Sequence, residues 1–130
     1  MKRTVLSSPK VNPPAGDYSH GWKIHGGKFV ILSGQIPEDA DGNIVGVGNF
    51  EAQVEQVFKN IGYMLEAGGA RFEDIVKMQV FLTGGNLWKP FSKVRKKFLK
   101  APFPATTLLI VKGLAKPEWM VEIEAMAVVE

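Results

Sequence analysis

Cysteine is absent from the 130-residue chain, which excludes a disulfide framework, a thiolate nucleophile and a cysteine-ligated zinc. Histidine is scarce too: His20 and His25 lie on one short segment, with no H-x-x-x-H helix pattern around them. We therefore expect no metal site. The lone Gly46-Val47-Gly48 lacks the third glycine and the acidic partner of a dinucleotide fingerprint, so we expect no cofactor either.

Long apolar runs are missing as well. No stretch approaches the roughly 20 residues of a membrane-spanning helix, and Met1–Lys10 lacks the apolar core of a signal peptide. These absences predict a protein of the cytoplasm with no membrane partner. The length predicts a single domain over residues 1–130, and the net charge of +3 permits an anionic ligand without requiring one.

The first half of the chain predicts two strands followed by a helix. The strand-like segments Ser19–His25 and Lys28–Ser33 follow a lead-in that contains Pro and Ser, and the Gly26-Gly27 pair between them predicts a hairpin. After a turn-rich loop, Asn49 has the character of a helix N-cap. Apolar residues then recur at intervals of three and four residues until Gly68-Gly69, and this spacing predicts an amphipathic helix.

The second half predicts a strand, a second helix and two terminal strands. Ile75–Leu82 is the strand, and Asn86 is placed to cap a helix that buries Phe91, Val94 and Phe98. The terminal strands are Thr106–Val111 and Met120–Val129. Two helices can cover one face of such a sheet, which indicates an α+β fold.

Glu122 and Glu124 are the unusual feature of the last strand. They alternate with aliphatic residues, so period-two geometry places both carboxylates on one strand face, and a solvated face is the simplest explanation. The segment Leu108–Val111, however, is apolar on both faces, as in a strand that is buried on both sides. If the strand of the two acids lies next to it, at least one carboxylate occupies a cleft. Glu124, which lies nearer the end of the strand, is expected to pair with a surface lysine.

The second face of the sheet has no helix to cover it. Exposed apolar area of that extent is rare on monomers, so the sequence predicts an obligate homo-oligomer with ligand sites in clefts between subunits. A basic stripe of Lys93, Lys96, Lys97 and Lys100 runs along the second helix, opposite its apolar face. Because no stacking aromatics are interleaved, it is typical of a solvated helix face, and we do not expect a nucleic-acid partner.

Five motifs together resemble the Rid (YjgF) family. They occur in the family's order and spacing from about residue 16 to residue 129: Tyr18-Ser19-His20, Ser33-Gly34-Gln35-Ile36-Pro37, Asp74-Ile75-Val76-Lys77 to Val80-Phe81, Pro104-Ala105, and Val121-Glu122-Ile123-Glu124-Ala125. The resemblance implies a chorismate-mutase-like fold and a homotrimer whose sheets form a central barrel. It also implies a small-molecule ligand in each of three clefts at the subunit interfaces.

The family's best-known activity is hydrolysis of reactive enamines and imines to oxo compounds and ammonia. By resemblance, Glu122 positions the attacking water and moves its proton, while Ser33 and the backbone of Gly34 line the pocket. The resemblance also implies that Tyr18 and Trp88 contact the substrate.

The cation of the site is where this sequence departs from the family. Active deaminases have arginine in a Pro-Ala-Arg-Ser type of motif, and the resemblance matches that substrate-binding position to Thr106 here. Losing a charge-assisted pair costs about 1.5–3 kcal/mol of binding free energy. Arg95 and Lys112 are the candidates for a replacement cation.

Two classes of function follow. One is a hydrolytic imine or enamine deaminase with an altered substrate. The other is a non-catalytic trimer that binds small ligands or acts like a chaperone through the same clefts, as loss of the arginine favours. A third, translation inhibition or RNA cleavage as reported for some relatives, would rest on the lysine stripe alone.

Overall fold

Both helices lie on one side of a four-stranded sheet in the computed structural model, which describes all 130 residues. The elements in chain order are β1 (Lys2–Val5), β2 (Trp22–His25), β3 (Lys28–Gln35), α1 (Phe50–Ala67), β4 (Ile75–Leu82), α2 (Trp88–Arg95), β5 (Ala105–Ile110) and β6 (Val121–Val129). Short 3₁₀ turns occupy Phe72–Asp74 and Gly85–Leu87. Neither helix combines the length and apolar character that crossing a membrane requires.

The strand order of the main sheet is β3-β6-β4-β5, and β1 and β2 form a separate two-stranded sheet. β4 and β5 run parallel, whereas β6 is antiparallel to both of its neighbours, β3 and β4. The expected α+β architecture, with a mixed sheet and two helices on one face, is therefore confirmed. β3 and β5 are the two edge strands of the main sheet.

The first helix forms as the sequence predicts. The side chain of Asn49 accepts a hydrogen bond from the Ala52 backbone N–H at 3.1 Å, and Gly68 caps the other end. Its apolar stripe is fully buried against the sheet and contains Val54, Val57, Phe58, Ile61 and Leu65. Phe58 stacks on Phe98 with ring centroids 4.9 Å apart, which joins the chain beyond α2 to the same core.

Alternation along β6 is also confirmed. Val121, Ile123 and Ala125 are buried towards the helices, whereas Glu122 and Glu124 face the other side and are only partly exposed. We call that second side, which carries Lys77, Gln79 and Phe81 of β4, the open face. No helix covers it.

Exposed apolar side chains follow from that uncovered face. Phe29 and Ile31 of β3 are 63% and 68% exposed, and Leu109 of β5 is 43% exposed. Burial of Leu108–Val111 on both sides is therefore not achieved within one chain, because β5 is an edge strand with a single neighbour.

Two expectations about strand neighbours are wrong. β2 pairs with β1 and not with β3, so the lead-in contributes a strand and there is no Gly26-Gly27 hairpin. Both glycines have positive φ, as the turn signal requires, but strand partners are set by distant segments that local turn chemistry does not specify. The strand of the two acids also does not adjoin β5, because β4 lies between them.

The second helix begins later and ends earlier than expected. Asn86 lies inside the 3₁₀ turn that precedes α2, where the Leu87 N–H donates to the Gly84 carbonyl, so it does not cap the helix. Because α2 ends at Arg95, Lys96, Lys97 and Lys100 do not form a helical stripe with Lys93, and Phe98 reaches the core from beyond the helix.

Candidate functional site

The first part of the site is the carboxylate of Glu122 on the open face. Register places Glu122 opposite Phe81 of β4 and places Glu124 opposite Gln79. Glu124 makes no ion pair, contrary to expectation, since the nearby Lys77 Nζ donates instead to Thr107 Oγ1 at 3.1 Å. Neither Glu122 nor Glu124 makes an ion pair within the chain.

Gly34 packs directly against the Glu122 side chain. A Cβ atom at position 34 would overlap Glu122 Oε2 and would lie 2.8 Å from its Cδ, well inside an ordinary contact of 3.5–4.0 Å. A larger residue at position 34 would force the Glu122 carboxylate to shift. The resemblance places both residues in one pocket, and in the structure they are in contact. Ser33 lies next to it on the same edge strand and is exposed.

The pKa of Glu122 is raised above its ordinary value. The larger cause is burial, which disfavours the charged form, and the smaller cause is repulsion by Glu124. A carboxyl group in this state holds a proton more readily near neutral pH than a solvated glutamate does. It is therefore suited to take up and return a proton.

The second part of the site is a cavity of about 470 Å³ between α2 and β5, here called the α2–β5 cavity. It is lined by Ala15, Gly16, Tyr18, His20, Trp88, Ser92, Arg95, Thr106, Thr107 and Leu108. The backbone explains how Tyr18 reaches it. The N–H of Ser19 donates to the Pro104 carbonyl at 3.0 Å, which ties the segment around Tyr18 to the start of β5.

Thr106 and Glu122 lie on different faces of the sheet. Thr106 is opposite Met78, whose side chain is buried towards the helices, whereas Glu122 faces the open side. The Thr106 hydroxyl donates to the Pro104 carbonyl at 3.1 Å, so its proton is already used. The Thr106 side chain is neutral and cannot attract an anionic ligand as an arginine would.

The predicted site residues therefore fall into two groups on one chain. Ser33, Gly34 and Glu122 lie at the β3 side of the sheet, whereas Tyr18, Trp88 and Thr106 line the α2–β5 cavity at the opposite edge. The α2–β5 cavity includes none of Ser33, Gly34 and Glu122 in its lining.

Of the two candidate cations, only Arg95 reaches the cavity. Arg95 is 7% exposed and lines it, whereas Lys112 is exposed and lies outside its lining. The sequence signal was the position of Arg95 four residues after the buried Phe91, which places a charge on the apolar side of a helix. His20 also lines the cavity, whereas the sequence indicated no role for it beyond a metal site that was not expected. No group of three or more His, Cys, Asp or Glu side chains is placed to hold a metal ion.

Comparison with known proteins identifies the family. A family model described as endoribonuclease L-PSP, which represents the Rid (YjgF) proteins, matches residues 9–129. The chain belongs to the Rid family. The resemblance of the five motifs is therefore confirmed.

Sequence relatives of this Rid protein cover nearly its whole length. A protein of the mite Dermatophagoides farinae named 2-iminobutanoate/2-iminopropanoate deaminase is 34% identical over 128 residues, with 98% of both chains covered. A human protein of the same name is 31% identical, with 97% of this chain and 90% of the relative covered. These relatives place the chain in a family that contains imine deaminases.

Solved structures support the chorismate-mutase-like fold expected of a Rid protein. YyfB from Yersinia pestis, a Rid protein of unknown function, is similar with a TM-score of 0.89 at 26% identity, covering 99% of this chain and 100% of YyfB. RidA from an Antarctic Psychrobacter species has a TM-score of 0.74 at 31% identity, covering 97% and 99%. The backbone is thus more similar to YyfB than to this RidA, even though RidA is the more similar in sequence.

Proposed function

We propose that this Rid protein hydrolyses reactive imines or enamines to an oxo compound and ammonia, with a substrate other than the short 2-imino acids. The observation that carries the proposal is the Glu122 carboxyl group, held against Gly34 on the open face with a raised pKa. Relatives that are named as imine deaminases support the reaction class.

Glu122 supplies both proton transfers that the reaction needs. Protonated Glu122 donates to the imine nitrogen, and the resulting carboxylate takes a proton from water as the water oxygen bonds to the imine carbon. In the carbinolamine that forms, the same carboxyl group protonates the amine, the C–N bond breaks and the hydroxyl proton returns to Glu122. The sum is imine plus water to carbonyl plus ammonia. An enamine joins the same path when protonated Glu122 donates to its carbon, which gives the iminium ion and the Glu122 carboxylate.

We propose that a complete site requires neighbouring copies in a homotrimer. Glu122 and Gly34 lie towards the β3 edge of the sheet, and the α2–β5 cavity lies at the β5 edge. When the β5 edge of one copy lies against the β3 edge of the next, the cavity of the first copy meets Glu122 and Gly34 of the second. The exposed Phe29, Ile31 and Leu109 supply apolar area for that contact. A small-molecule ligand then lies at the interface between subunits.

Thr106 is the reason to propose an altered substrate. A threonine whose hydroxyl already donates to a backbone carbonyl cannot make the two-donor contact by which an arginine holds a carboxylate. Substrates that depend on a cation at this position therefore bind weakly and are poorly oriented.

A competition assay tests the activity. Imines are generated enzymatically from a panel of amino acids, and semicarbazide traps whatever imine survives, so a deaminase lowers the yield of semicarbazone. We expect the protein to lower that yield for at least one imine larger than 2-iminopropanoate, and the Glu122→Gln protein not to do so. Equal trapping with and without protein across the panel would refute the proposal.

The second candidate is a trimer that binds small ligands without turnover, as a sensor or a chaperone-like module. The uncharged, internally bonded Thr106 favours it. Ligand binding in the α2–β5 cavity, combined with unaltered imine lifetimes across the panel, is the result that selects this candidate.

A further inference from the structure

Arg95 carries a buried charge that has no ion-pair partner in the chain. Its side chain is 7% exposed, and no carboxylate lies within ion-pair distance. Burial lowers the Arg95 pKa. Asp17, which lies beyond ion-pair distance, partly offsets that effect. Proteins rarely bury an arginine without a partner, because an unpaired charge in low dielectric is strongly disfavoured.

The hydrogen bonds of Arg95 are incomplete as well. One terminal nitrogen donates to Ser92 Oγ at 3.2 Å, and the guanidinium carbon lies 5.3 Å from the centre of the Phe91 ring. The Nε–H is buried and has no acceptor. An arginine has five N–H donors, so most of its capacity is unused.

The surroundings of Arg95 have the character of a ligand site. The α2–β5 cavity has a volume of about 470 Å³, within the range of about 300–1,000 Å³ that is typical of small-ligand sites. Ser92, Thr106 and Tyr18, which carry hydroxyl groups, line it together with the half-exposed Trp88. It therefore offers one cation, several neutral polar groups and an aromatic surface.

We propose that Arg95 is the anion-binding residue of this protein, and that it holds the carboxylate of a small ligand whose apolar or aromatic part lies along Trp88. A planar guanidinium with free donors matches a carboxylate better than it matches a spherical anion. This inference deepens the proposed function. Anion binding by Arg95 does not depend on catalysis, and only the claim that the bound ligand is the substrate rests on the proposed function.

A cation on α2 also changes which substrates fit. Arg95 comes from the helix, whereas the family's arginine occupies position 106 on β5. A carboxylate held by Arg95 lies at a different place in the cavity from one held by an arginine at position 106. The imine carbon of a short 2-imino acid bound to Arg95 is therefore displaced from the position it takes in the family's site. The inferred substrate class is a larger or aromatic carboxylate.

Calorimetric titration of the assembled protein with benzoate, using benzamide as its uncharged counterpart, tests the assignment. We expect benzoate to bind at least ten times more tightly than benzamide to the wild-type protein. Arg95→Met should reduce benzoate affinity about ten- to a hundredfold, and Arg95→Lys should reduce it less. Lys112→Met, which removes an exposed charge outside the cavity, is the matched control and should leave benzoate affinity unchanged.

Folding of the variants is checked by thermal unfolding, and Arg95→Met should fold because it removes an unpaired buried charge. An independent measurement on the wild-type protein follows the Arg95 Nε–H resonance by NMR, which should shift with benzoate and not with benzamide. Unchanged benzoate affinity in Arg95→Met, equal binding of benzamide, or an unmoved resonance would overturn the assignment.

The two proposals fail separately. If no imine is hydrolysed but benzoate binding depends on Arg95, the anion site is supported and catalysis is refuted. If imines are hydrolysed at the same rate and KM by Arg95→Met, the proposed function is supported, and the claim that the ligand held by Arg95 is the substrate is refuted.

Discussion

Replacing Gly34 with alanine should displace the Glu122 carboxyl group without removing it. The new Cβ would lie 2.8 Å from Glu122 Cδ, against an ordinary contact of 3.5–4.0 Å, so the carboxyl group must move by on the order of 1 Å. A shift of that size in a catalytic group costs about a hundredfold in rate, or roughly 2.7 kcal/mol in the activation free energy.

Stability should change much less than activity in Gly34→Ala. An alanine restricts the unfolded chain and stabilises by about 0.4–1 kcal/mol, whereas forcing Glu122 off its rotamer costs about 0.5–1.5 kcal/mol. These opposing effects leave the free energy of unfolding within about 1 kcal/mol of the wild-type value.

The semicarbazide assay and urea denaturation measure the two effects side by side. Gly113→Ala is the matched control, because a Cβ there meets nothing within 4 Å. We expect wild-type activity in Gly113→Ala and about one-hundredth of it in Gly34→Ala, with both proteins folded. Wild-type activity in a folded Gly34→Ala protein would refute the idea that Glu122 acts from the position seen here.

Three further predictions follow from the open face and the two parts of the site. Light scattering should give three times the mass of one chain at micromolar concentration, because Phe29 and Ile31 are otherwise exposed; a stable monomer would contradict this. Hydrolysis of 2-iminopropanoate should be weak, and Thr106→Arg should increase it; full activity in the wild-type protein would refute the role given to Thr106. The Glu122 pKa is higher in the folded protein than in the unfolded chain, so ionised Glu122 lowers the free energy of unfolding at any pH above the folded-state pKa. This penalty disappears as the pH falls below the Glu122 pKa of the unfolded chain. Urea denaturation should thus find Glu122→Gln at least as stable as wild type at pH 7, with the difference shrinking towards pH 4; a difference that grew on acidification would contradict the raised pKa.

The parts of the fold that follow local rules were predictable from the sequence. Asn49 caps α1 through a contact only three residues away, and the alternation along β6 follows from strand geometry alone. Strand partners were not predictable, because the pairing of β1 with β2 and the position of β4 between β5 and β6 depend on segments far apart in the chain.

The candidate site was predictable by residue type but not by location. The resemblance placed Glu122 and Gly34 in one pocket, and in the structure a Cβ at position 34 would displace the Glu122 carboxyl group. They did not reveal that Thr106 lies at the opposite edge, since edge positions are set by the sheet topology. The burial of Arg95 depends on how α2 packs beside β5, which helix periodicity alone does not determine.

Comparing Glu122→Gln with Glu124→Gln in the imine hydrolysis assay tests the central claim most directly. The two acids share one strand face, but only Glu122 contacts Gly34, so the pair separates a catalytic role from the general charge of that face. We predict that Glu122→Gln lowers turnover at least about a hundredfold with the trimer intact, and that Glu124→Gln stays within a few-fold of wild type. Equal losses in both proteins, or a Glu122→Gln protein that dissociates while retaining activity, would show that Glu122 is structural.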